Sequence, residues 1–294
     1  MVRTLSLGLV ATLALALCVV PFALHCAQER HDRLPLDVTT AEPGPSGELF
    51  ASTMRSLVDH ELSSWAGWRP NDFFLWGPQL WADNNANRQL GIIQAVRESM
   101  RVFRDNLTKV SSTPYDPNLV DADTHFRYDE RKLWFPSAES SFRDGVAALD
   151  RYIAGLRAKP PTSKPLNRRN VELIRLFIAW TDLLGSAHAD LYADGVGPFE
   201  TDDRFYHAQG LAHVMHHLTL AIRREYEPEL RERVTVLELV DEVASSLGRA
   251  AMLEPLLILD SDADGLFANH RRNLDAFLVD ARQKMLSIRE ELEK

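Results

Sequence analysis

Four histidines crowd one stretch of the chain: His207, His213, His216 and His217. His213 and His217 stand at i and i+4, the spacing at which two imidazoles on one helix can share a metal ion. The apolar positions Ala208, Leu211, Met215, Leu218 and Ile222 define one face of that helix, and His213 and His217 fall on the opposite face with Gly210, Leu220 and Arg224. If that face is solvated, these are ordinary surface histidines. If a second helix covers it, as Gly210 and Leu220 hint, two imidazoles are buried and need partners. The H-E-x-x-H protease pattern fails because position 214 is Val, not the Glu that would act as general base. A third ligand would have to come from elsewhere, for example His188, Asp190 or His270. His213 and His217 are therefore weak candidates for a metal, and His207 and His216 are assigned nothing.

Two further stretches carry chemistry-bearing types. Asp260-Ser261-Asp262-Ala263-Asp264-Gly265 opens like a calcium loop, but its twelfth position is Arg271, where a bidentate Glu belongs. It reads as a turn between helices. Residues 65–81 (WAGWRPNDFFLWGPQLW) hold four of the six tryptophans. Trp65, Trp68, Phe73, Phe74 and Trp76 either wedge between helices or form an aromatic patch for a protein partner or the membrane interface. The mixed run Arg127, Asp129, Glu130, Arg131 and Lys132, before Leu133-Trp134-Phe135-Pro136, reads as a solvated loop. No nucleophile elbow, phosphate-cradling loop or dinucleotide fingerprint occurs. No catalytic residue and no cofactor is assigned.

The elements that would position these residues are helical. The apolar series Ile93, Val96, Met100, Phe103, Leu107 and Val110 steps by three and four. So do Phe142, Val146, Leu149, Ile153 and Leu156, and then Leu173, Trp180, Leu184, Ala187 and Leu191. Leu274, Leu278, Ala281, Met285, Ile288 and Leu292 keep a heptad rhythm that suits either a core or a dimer seam. Thr235-Val236-Leu237-Glu238 forms a capping box. Seven helices are predicted, over about 48–62, 84–110, 138–158, 168–193, 202–226, 236–253 and 268–292, with irregular stretches at 63–82 and 111–136. The fold class is all-α: an antiparallel bundle of about seven helices.

Ahead of the bundle, Thr4 to Leu24 is uncharged and rich in Leu, Ala and Val. About 20 such residues suffice to cross a bilayer as a helix. Candidate cleavage positions after Ala23 and Ala27 place Pro21 and His25 at −3, and neither Cys18 nor Cys26 follows a small residue. An uncleaved signal anchor over 1–27 (membrane-crossing about 4–24) fits better than a cleaved signal. A linker over 28–47 and a helical domain over 48–294 follow. The charge of −9 overall argues against nucleic acid as a partner, and the −10 left without Arg3 argues against a second, electrostatic contact with an anionic membrane surface. The expected place is the inner membrane, single-pass, with the domain on the periplasmic side. The partners are the bilayer through residues 4–24 and an envelope protein.

A resemblance covers nearly the whole chain. The stretches NDFFLWGPQLWADN, GIIQAVRESMRVFRDNLTK, DPNLVDADTHFRYDERKLWFPSAESSFRDGVAALDRYI, FYHAQGLAHVMHHLTLAI and GLFANHRRNLDAFL together resemble the uncharacterised bacterial membrane-protein family catalogued as domain of unknown function 2333. The resemblance implies one N-terminal anchor and a helical domain facing the periplasm. It brings no catalytic or binding residues. The reading for function is a non-enzymatic interaction or scaffold module of the cell envelope. The alternative is a metal-binding protein or metal-dependent enzyme using His213 and His217.

Overall fold

The computed structural model describes residues 34–294 apart from 35, 41–43, 73–82, 110–112, 194–197 and 256–268. In the N-terminal segment it describes Gly8, Thr12, Leu13, Leu15 and Val19. Those five positions are helical and exposed, and the Thr12 hydroxyl donates to the Gly8 carbonyl at 2.9 Å. No helix among the described residues is long and apolar enough to cross a membrane. The acidic turn at 260–265 lies outside the described residues, as do Phe73, Phe74 and Trp76.

All regular structure among the described residues is helical: α1 (Glu48–Ser63), α2 (Asn84–Val102), α3 (Pro117–Phe126), α4 (Ala138–Arg157), α5 (Asn170–Leu191), α6 (Pro198–Glu225), α7 (Glu227–Leu230), α8 (Val234–Ala251) and α9 (His270–Glu293). A π-helical turn, Phe103–Leu107, continues α2. Helix α6 is the hub. It packs on α1, α2, α5, α8 and α9, while α9 closes the ring by lying on α5 and α8. Helices α1, α3 and α4 form a second layer beside it.

The apolar spacing explains which faces are inside. Ile93, Val96, Met100, Phe103 and Leu107 are all buried, as are Phe142, Val146, Leu149 and Leu156. The α9 heptad, Leu274 to Leu292, is buried against α5 and α8, which makes it core. Trp180 is the largest fully buried side chain among the described residues, and its Nε1 donates to Ser99 Oγ at 3.0 Å, joining α5 to α2.

Three details depart from the sequence expectation. Pro117–Phe126 is a helix within a stretch read as irregular. Asp116 caps it by accepting from Asn118 N at 3.0 Å, Pro117 sits at N1, and Leu119, Ala122 and Phe126 are buried. The box at Thr235 does not set the start of α8, which begins at Val234 with Arg233 at the cap and no side-chain cap bond. Packing also reaches back into the 28–47 linker. Val38 is 1% exposed, the turn Val38–Thr40 lies on α6, and Leu34 and Leu36 rest on the core.

Glycine sets the tightest crossing. A Cβ on Gly91 would overlap the His207 carbonyl, and a Cβ on Gly210 would overlap the Arg88 carbonyl. The two backbones of α2 and α6 therefore meet directly, which only glycine at both positions permits.

Candidate functional site

That crossing brings the start of α6 against the first turns of α2. Asn87 Nδ2 donates to Asp203 Oδ1 at 2.8 Å. Around this bond lies a cleft of about 300 Å³ lined by Asn87, Leu90, Arg131, Ala187, Asp190, Asp203, Arg204, His207 and Ala208. Its walls come from α2, α5, α6 and the loop between α3 and α4.

The electrostatics of the cleft are unusual. Burial first, and then the neighbouring Asp83 through its charge and a side-chain hydrogen bond, raise the Asp203 carboxyl to about 7. Asp202 and Glu200 push the same way. Two cations line the same cleft, Arg131 and Arg204. Arg204 turns away, donating to the Asp190 carbonyl at 2.6 Å and pairing with Glu200 at 2.7 Å. His207, one helical turn beyond Asp203, is held below its ordinary range by burial, against the opposing pull of Asp190. Near neutral pH the cleft thus presents a carboxyl that exchanges its proton and an uncharged imidazole. Such a pair can receive a cationic group or pass a proton.

The candidates singled out from the sequence sit elsewhere. His213 and His217 do lie together, with ring centroids 4.9 Å apart, and His216 meets His217 edge-on at 5.0 Å. Helix α8 covers the edge of this ladder. His216 Nδ1 lies 2.7 Å from the Ala244 carbonyl, and Gly248 leaves room for its ring, since a Cβ there would come within 2.9 Å of it. Burial, with His216 adding to it, lowers His217 to about 4. His217 Nδ1 is buried and accepts or donates no hydrogen bond among the described residues. Among those residues no group of three or more His, Cys, Asp or Glu side chains is placed to hold a metal ion. Of the third ligands considered, His188 contacts Asp275 at 2.6 Å and Asp190 lines the cleft.

The aromatic segment divides. Trp68 is a core residue, 5% exposed, edge-on to Phe142 at 5.0 Å, with its Nε1 donating to the Glu130 carbonyl at 2.9 Å. Trp65 is 62% exposed. Just beyond them, Gln89 bridges from α2, accepting from Arg69 N at 2.8 Å and donating to Gly67 O and Glu61. Arg88 pairs with Glu61 at 2.8 Å where both are buried.

Sequence reasoning passed over Asp203 and gave His207 no role. The available signal was their i, i+4 spacing one turn before Gly210. What it could not supply was Asp83, which is brought in by another helix.

No curated protein and no solved structure matches the chain. A family model described as "uncharacterized protein conserved in bacteria" (DUF2333) matches residues 2–193. The match ends before α6, so Asp203 and the histidine ladder, like the stretches quoted at 205–222 and 265–278, lie beyond it. Spanning well over half of the chain, it shows that this protein belongs to the DUF2333 family of bacterial proteins.

Proposed function

We propose that the chain is a single-pass inner-membrane protein whose helical domain stands on the periplasmic side and works as a non-enzymatic interaction module of the cell envelope. The observation that carries this reading is the order of segments. An apolar run long enough to cross a bilayer is followed, within ten residues, by side chains that pack on a large helical bundle. The cleft supplies a recognition feature for such a module. Asp83 and Asp203 share a side-chain hydrogen bond and oppose each other's ionisation, and an ammonium or guanidinium group of a partner would relieve that opposition.

A second reading rests on the same residues. A carboxyl that titrates near 7 beside a neutral imidazole suits proton transfer, so the cleft also fits general acid–base chemistry on a small substrate.

The test of the first reading uses the full chain in intact cells. A reporter active only in the periplasm, fused after Lys294, should be active, and a photo-crosslinking residue at Leu90 should trap a discrete adduct. An inactive reporter would put the domain on the cytoplasmic side and end this proposal.

A further inference from the structure

The loop between α3 and α4 is built as a rigid stand. Arg97 of α2 donates to the Phe126 carbonyl at 2.6 Å and the Tyr128 carbonyl at 2.7 Å, and pairs with Glu130 at 2.8 Å. Trp68 Nε1 holds the Glu130 carbonyl, and Asn71 Nδ2 holds the Lys132 carbonyl at 3.0 Å. The Tyr128 hydroxyl donates to the Pro136 carbonyl at 3.0 Å, and Ala138 N donates to the Lys132 carbonyl at 2.9 Å. On this braced stand sit Trp134, 66% exposed, and Phe135, 96% exposed. A loop tied at so many points does not display two large apolar rings by default. The same bonds that fix its backbone hold the rings out in water, at a cost in hydrophobic free energy.

The charge beside the rings is mixed, with Asp129 exposed and accepting from Arg131 N at 3.0 Å and Glu130 taken up by Arg97, but two cations stand out in it. Arg131 and Lys132 are exposed and form no ion pair among the described residues, although the chain beyond residue 27 carries −10. Trp and Phe flanked by Arg and Lys are the residue types that seat at a bilayer interface, rings among the upper acyl chains and cations among anionic headgroups. The tether makes the surface reachable. Nine residues, 25–33, separate the apolar run from Leu34, and nine residues extend to roughly 30 Å. Helix α6, at 28 residues, is about 42 Å long, so the tether holds the domain within about one helix length of the bilayer.

We propose that the Trp134–Phe135 tip docks into the interfacial layer of the bilayer in which the N-terminal run is anchored, with Arg131 and Lys132 on its anionic headgroups. This rests on the tether reading above. It also gives the cleft an orientation, because Arg131 lines the cleft and stands four residues from Phe135. Docking the tip brings this wall of the cleft near the lipid surface.

The test uses the full chain reconstituted into vesicles of phosphatidylethanolamine and phosphatidylglycerol, with bromine on the acyl chains as a contact quencher. The apolar run holds no tryptophan, so quenching reports the domain alone. Wild-type protein should float with the vesicles and be quenched. Trp134→Phe should lose most of that quenching while floating as before, and Phe135→Asp, whose side chain touches no core, should do the same with an unchanged circular dichroism spectrum. Flotation without quenching, or quenching that survives both substitutions, would overturn the docking. A wild-type chain that does not float would overturn the tether reading, and the docking with it.

Discussion

Along α6, Asp203 and His217 lie fourteen residues apart, about 21 Å at the helical rise. Burial drives both to their neutral forms, yet by opposite proton movements. The carboxyl gains a proton and the imidazole loses one. Their surroundings differ in kind as well. Asp203 borders a cleft and shares a hydrogen bond with a second acid, whereas His217 is wrapped by other imidazoles and by α8. The comparison teaches that a cluster of ionisable residues is not by itself a site. The histidines are more conspicuous in sequence, but the acids have an open space in front of them.

The two regions depend unequally on the α2–α6 crossing, and breaking it gives the largest effect. Gly210→Ala places a methyl group on the Arg88 carbonyl, and backbone cannot yield as a flexible side chain does. The helices must separate, at a cost of ~3 kcal/mol or more. Thermal unfolding should show that loss. Hydrogen exchange should show it concentrated in the first half of α6 and in α2, with the α8 side of the ladder protected longer. Uniform loss of protection along α6 would mean that the acidic end and the ladder are one cooperative unit.

Why the ladder was legible and the cleft was not follows from how each is built. His213, His216 and His217 belong to one helix, so 3.6-residue periodicity alone places them together. Helix extents came through for the same reason, since Leu173 to Leu191 and Leu274 to Leu292 carry their burial pattern in local spacing. The cleft draws Asn87, Asp190 and Asp203 from three helices, and their meeting depends on the close crossing at Gly91 and Gly210. No local pattern encodes such a crossing. The buried Arg88–Glu61 pair was hidden likewise, because its members sit on different helices and charge alone reads as surface. Pro117–Phe126 was missed although Asp116-Pro117 is a start signal, because ten residues with three buried apolar positions give a weak periodicity.

An intermediate effect separates the two ends by pH. The folded-state Asp203 value of about 7 lies above its unfolded value of 3.8. Its contribution to stability is therefore present in full below 3.8 and is lost as pH rises through 7. Asp203→Asn imitates the protonated form. The variant should lose this part of the fall in stability between pH 4 and 7, and near pH 8 it should be more stable than wild type, as read by denaturant unfolding across that range. Unchanged pH dependence would mean that Asp203 is ionised in the folded chain. The same variant probes the acid–base reading of the cleft. It leaves the space intact but holds no exchangeable carboxyl proton, so any turnover found for a small substrate should vanish in it.

The smallest effect belongs to the ladder. His217 titrates at about 4 in the folded chain against 6.5 unfolded, so its contribution is present above 6.5 and is lost as pH falls through 4. His207 and His216, also lowered by burial, act in the same direction. His217→Leu removes both the acid-sensitive group and a buried Nδ1 without a hydrogen bond among the described residues. At neutral pH the substitution should stabilise the domain by about 1 kcal/mol, and the acid limb of its stability profile should become shallower. Adding zinc gives the contrary reading a fair chance. If the ladder held a metal, zinc would raise the melting temperature of wild type but not of the leucine variant, and at neutral pH with zinc present the leucine variant would be the weaker protein. A stabilised variant and no zinc response would instead mark the ladder as packing, and leave the cleft as the part of α6 that meets a ligand.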